Sequence, residues 1–165
     1  MLSKCLKLVQ NQLKGECERE RRDSKSKARR YWIVDSTEET IEKIERVNRM
    51  NKAKTVSSHD FATLYTNLKH DSLKLQLKWV VEKAFKASGK KQVSVYKDGA
   101  AWTDKAKEGT KTVEKEELIE MIDFLIDNMM IEHEGATYKQ SIGIPMGTDC
   151  APFLANLYLF ALEYR

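Results

Sequence analysis

Both prolines of the chain and two of its seven glycines fall in one stretch, Ile142-Gly143-Ile144-Pro145-Met146-Gly147-Thr148-Asp149-Cys150-Ala151-Pro152. Directly after it, Phe153 to Leu162 is a ten-residue apolar run whose one amide is Asn156. A helix over 151–164 built from these residues is apolar nearly all round. Such a helix has no face to offer water and must lie inside the fold. The run is too short to span a bilayer. The loop ahead of it, with Gly at two positions and Pro at two others, lets backbone approach a ligand closely and aims the N–H groups of the helix start at it. The plainer interpretation is a strand-to-helix turn with proline near the helix start, Asp149 serving as N-cap.

The other elements follow from periodicity. Leu2, Leu6, Val9 and Leu13 recur at helical spacing and predict an amphipathic helix over 2–14. Residues 16–30 are dense in charge and predict a solvated helix extension or a mobile connector. Tyr31-Trp32-Ile33-Val34 is a short β-prone run. Ser36 and Glu39 fit a capping box opening a helix with Ile41, Ile44, Val47 and Met50 as its buried stripe. Thr55 to Phe61 reads as a strand. A helix from about Asp71 has Leu73, Leu77, Val80, Val81, Ala84 and Phe85 on its inner face and ends at Ser88-Gly89. Val93, Val95 and Tyr96 run into Asp98-Gly99, a hairpin signal, with Trp102 beyond. Residues 112–128 predict a helix with Leu118, Met121, Ile122, Leu125 and Ile126 inward, and 129–141 a hairpin turning at Glu134-Gly135. Strands separated by long helices predict a mixed α/β (α+β) fold, one sheet backed by helices with an N-terminal helix ahead of it.

Charge divides the chain. The net +4 conceals ten basic against four acidic residues over 1–30, and 19 against 21 over the rest. Residues 1–30 are thus expected to form a basic N-terminal helix and connector, and 31–165 a separate domain. At 41% hydrophobic the chain has enough apolar material for a core, and its scarce glycine and proline exclude collagen-like and linker classes. Three widely spaced cysteines, Cys5, Cys17 and Cys150, argue against a disulfide scaffold or a disulfide partner and for a reducing compartment, nuclear or cytoplasmic. Lys-Ser-Lys-Ala-Arg-Arg at 25–30 has the composition of a weak nuclear-import patch. Residues 1–10 lack the long apolar core expected of a secretory signal.

A second informative segment is Ser58-His59-Asp60-Phe61-Ala62-Thr63-Leu64-Tyr65-Thr66-Asn67-Leu68. An aspartate at a strand end can hold a divalent cation through oxygen, and by itself it is more simply a solvated carboxylate or a cap. The two segments together, with Asp60 and Gly143 83 residues apart, resemble the palm domain of reverse transcriptases. His59-Asp60-Phe61-Ala62-Thr63-Leu64-Tyr65-Thr66-Asn67-Leu68 looks like the first palm motif, and Gln140 to Glu163 like the second. The nearest resemblance is to Penelope-like and related retroelement RNA-directed DNA polymerases, over residues 31–165.

The resemblance implies a truncated fingers-palm domain and two-metal nucleotidyl transfer. Asp60 would be the catalytic ligand to Mg2+, with the Phe61 backbone carbonyl completing one shell. Tyr65 would lie under the sugar of the incoming dNTP and exclude a 2′-hydroxyl. Gly143, Pro145, Met146 and Gly147 would form the loop against an RNA or DNA template-primer. Arg29, Arg30, Lys52 and Lys54 would be upstream phosphate contacts. The sequence also departs from the family. No Asp-Asp pair, the third palm motif, occurs in it, and Ile142 precedes Gly143 where many reverse transcriptases have Gln, Gln140 being the nearest. One carboxylate holds two hard cations poorly. The expectation is a fragment inactive as this chain; the alternative is a decayed or co-opted palm that binds nucleic acid without polymerising it.

Overall fold

The computed structural model describes residues 1–24, 30–34, 36–51, 55, 57–61, 63–105, 109–145 and 147–164. Six helices and five strands run in the order α1 (Leu2–Asp23), α2 (Thr37–Arg49), α3 (Leu64–Asn67), α4 (His70–Ser88), β1 (Gln92–Val95), β2 (Ala100–Thr103), β3 (Lys111–Glu114), α5 (Lys115–Asp127), β4 (Met130–His133), β5 (Ala136–Lys139) and α6 (Ala151–Tyr164). The fold is mixed α+β. Two compact units divide it: Met1–Tyr31 with Thr63–Arg165, and Trp32–Ala62 between them.

In the larger unit α4 is the hub, and α1, α5 and α6 all pack on it. Its inner face is the one its periodicity predicts, with Leu73, Leu77, Val80, Val81 and Ala84 fully buried. Gly89 stops it in the left-handed region at φ 65, where its N–H closes the last turn on the Phe85 carbonyl. From α6, Leu154, Leu157, Phe160 and Ala161 complete the core. Burial is not all round, however, since Leu162 is half exposed. Cys150 rather than Asp149 directly precedes the first residue of this helix. Phe160 stacks with Trp79, and Tyr164 and Tyr31 lie tilted against it at 5.3 and 5.8 Å.

A three-stranded antiparallel sheet, in the order β2-β1-β3, flanks the helices. Val93 sits between Trp102 and Val113 in register, and Trp102 meets Phe85 edge-on at 4.8 Å. The β4–β5 hairpin is a second, separate sheet, so the single sheet expected from the sequence is in fact two. Its turn residues Glu134 and Gly135 both take positive φ, 51 and 77, the twist that suits a two-residue hairpin.

One further expectation is corrected. The helix predicted from residue 112 begins at Lys115, because Lys111–Glu114 pairs with β1 as an edge strand rich in β-branched residues. Glu114 then caps α5 through a reciprocal box with Glu117. Of the two alternatives for the charged stretch after residue 16, the helix extension is the one found as far as Asp23, and this helix belongs to the larger unit, burying Cys5, Leu6, Val9, Leu13 and Cys17.

In the smaller unit Ser36 caps α2, its hydroxyl accepting from the Glu39 N–H at 3.3 Å, as the capping box predicts. The stripe of Ile41, Ile44, Val47 and Met50 is not buried. Neither Tyr31–Val34 nor the described part of Thr55–Phe61 is a strand. A β-prone run needs a ladder partner to become one, and the described residues of this unit contain no strand. No helix of the described residues is long and apolar enough to cross a membrane.

Candidate functional site

The Gly-Pro loop is fastened to the one-turn helix α3 by backbone. Lys69 and Ile142 form an antiparallel bridge. The Gly143 N–H donates to the Leu68 carbonyl at 2.8 Å, and the Ile144 N–H to the Tyr65 carbonyl at 2.6 Å. His70, first residue of α4, donates its Nε2–H to the Gly143 carbonyl at 2.8 Å. Ile144 is the apolar pin of the arrangement, 1% exposed.

Gly143 is required there. Its φ is 86, and a Cβ would run into the Tyr65 carbonyl oxygen and come within 2.9 Å of the Thr66 Cα. Both obstacles are backbone, which cannot swing aside. Gln140 braces the approach: its N–H bonds the Met129 carbonyl at 2.9 Å and its side-chain amide the Ile142 carbonyl at 2.8 Å. Downstream, the Thr148 hydroxyl reaches the Pro145 carbonyl at 3.4 Å and the Ala151 N–H the Thr148 carbonyl at 3.0 Å, passing the chain into α6.

The other wall is strained. Thr63 opens α3 at φ 62, a left-handed conformation that costs a β-branched residue about 1–2 kcal/mol. Its carbonyl accepts from the Thr66 and Asn67 N–H groups, and the Asn67 amide donates to its hydroxyl at 2.6 Å. This local knot turns the Tyr65 carbonyl toward the loop.

Two of the singled-out positions, Tyr65 and Gly143, are therefore in direct contact. They come from segments 78 residues apart. The Tyr65 ring is half-buried, Pro145 is half-buried and Gly147 is exposed. Asp60 and Phe61 belong to the smaller unit and are exposed, Phe61 to 59%. Arg30 is engaged within the larger unit, its guanidinium 3.8 Å from Glu20 and 5.4 Å above the Tyr164 ring. Arg29, Lys52, Lys54 and Met146 lie outside the described residues.

His70 and Thr63 complete the loop's support and carry no motif that marks them in the sequence. Gln140 was visible only as a displaced glutamine. For Mg2+ the fit is incomplete. Asp60 is one carboxylate, and among the described residues no group of three or more His, Cys, Asp or Glu stands together. A hard cation asks for about six oxygens. These residues do not by themselves make a two-ion site, and no chemical step through Mg2+ follows from them.

Neither a protein-family profile, a curated protein sequence nor a solved structure matches the chain.

Proposed function

We propose that this chain is part of a retroelement-type reverse transcriptase, its fingers-palm region, in which the Gly143 loop lies against a template-primer and Asp60 supplies one carboxylate of the metal site. The observation that carries this is the contact between the Tyr65 segment and the Gly143 loop. Two motifs remote in sequence meet through backbone bonds and a glycine that tolerates no side chain. In a palm the residue under the incoming sugar and the loop against the nascent pair must be neighbours. A chance pair of motifs carries no such requirement.

A second reading is a palm remnant that binds nucleic acid without polymerising it. Asp60, exposed and in no group of three or more such ligands among the described residues, favours it, because two-metal phosphoryl transfer needs several carboxylates to place its ions. The two readings divide on the nucleotide sequence beyond the Arg165 codon. An in-frame hairpin with adjacent aspartates supports a polymerase, and a stop codon without one supports the remnant.

Residues 1–165 alone are expected not to extend a primer with Mg2+ and dNTP. A longer chain carrying the aspartate pair is expected to do so and to lose the activity in Asp60→Asn. Full activity in that variant would remove Asp60 from the metal site and the palm assignment with it.

A further inference from the structure

Beside the Gly143 loop three elements end on one exposed shelf. Lys69 leads into α4 and is bridged through its backbone to Ile142. Lys74 stands one turn further along α4, with Lys78 a turn beyond on the same side. Lys139 closes β5, opposite Met130. Asp127, the last residue of α5, sits among them, with Lys74 Nζ 2.6 Å from its Oδ1. The Lys74 hydrogen bond foremost, with Lys139 and His70 nearby, holds the Asp127 carboxyl below its ordinary range. Lys74 is taken up by Asp127, whereas Lys69 and Lys139 are exposed and make no salt bridge among the described residues. Between the lysines the surface is apolar: Ile142 is 43% and Met130 52% exposed.

Unmatched lysines flanking exposed apolar side chains suit a polymer with regularly spaced anionic charges and flat apolar faces between them. We infer that this shelf seats the sugar-phosphate backbone of a nucleic-acid strand passing the Gly143 loop, with Lys69 and Lys139 against its phosphates. The nature of the ligand rests on the polymerase reading. The location rests on the side chains alone, away from the upstream positions Arg29, Arg30, Lys52 and Lys54.

The test is binding of a labelled single-stranded oligonucleotide to the whole chain by fluorescence anisotropy, in EDTA, across a salt series. For Lys69→Glu with Lys139→Glu, the affinity at low salt should fall at least about tenfold. The slope of log K against log salt should shrink by about 1.4, two contacts at about 0.7 each for a single strand. Both lysines are exposed, so thermal unfolding should stay as in the parent. The Lys→Gln pair should lose the same slope with a smaller drop in affinity. Lys86→Glu with Lys91→Glu, in the separate charged cleft beside β1, should leave the slope unchanged. An unchanged slope in the Lys69/Lys139 pair, an equal loss in the Lys86/Lys91 pair, or no binding at low salt would overturn the proposal. So would displacement of the oligonucleotide by polyglutamate at matched charge, which would mark the shelf as a seat for acidic protein. The assay holds no divalent cation or dNTP, so its failure leaves Asp60 and the palm assignment to their own test.

Discussion

Gly143 carries more structural weight than its size suggests. Its positive φ and the Tyr65 carbonyl facing its α-carbon leave no room for a methyl group. Gly143→Ala combines backbone strain with a backbone clash, and should cost roughly 2–4 kcal/mol in chemical denaturation. Gly147 has open space where a Cβ would stand, so there the clash is absent. The cysteines make a second prediction. Burial pushes the Cys5 and Cys17 thiols up to about 11 from an ordinary 9.0. The unfolded chain therefore releases these protons first as pH rises. Stability due to the protonated thiols is complete below pH 9.0 and lost as pH climbs toward 11. The loss should be at most about 1.4 kcal/mol per pH unit for each thiol. Denaturant midpoints across that range should steepen for the parent and flatten for Cys5→Ala with Cys17→Ala. The special role of glycine in the loop was legible from composition, because only a close approach or a turn concentrates Gly and Pro so. Which backbone it approaches was not, because that atom lies 78 residues earlier.

Among the elements, α6 shows how burial divides a helix that looks apolar on every side. Leu157 is fully enclosed while Leu162 is half exposed. Leu157→Ala should cost about 2–5 kcal/mol and Leu162→Ala less than about 0.5 kcal/mol, both read from denaturation midpoints. Helices with a clear stripe, α4 above all, were legible in full, since 3.6-residue periodicity states both the element and its buried face. Strands fared unevenly. The β4–β5 hairpin announces itself through Glu134-Gly135, whereas β3 reads as part of the helix after it, and the described part of Thr55–Phe61 pairs with no strand among the described residues. A strand is completed by another strand's hydrogen bonds, so a local run of β-branched residues is necessary and insufficient. The same limit applies to α2. Its cap is local and formed as expected, but its apolar stripe could be buried only by something outside it.

At the scale of the molecule, the basic N-terminal segment proves to be part of the core of the larger unit. Leu6, Val9 and Leu13 are fully buried, and α1 packs on α4, α5 and α6. Removing residues 1–23 should therefore abolish cooperative unfolding and the near-ultraviolet circular dichroism of the larger unit, which deletion of a solvated arm would leave intact. Charge describes the outer face of α1 and is silent on the inner one. Sequence alone determined the five long helices, the caps at Ser36 and Gly89, two hairpins and the Gly-Pro loop, because each is fixed by neighbours within a few residues. The tertiary structure alone decided that α1 joins the core, that the strands form two sheets, and that Tyr65 meets Gly143. Those outcomes depend on which distant surfaces bury one another and which carbonyl a free N–H finds, and no local pattern encodes the identity of a remote partner.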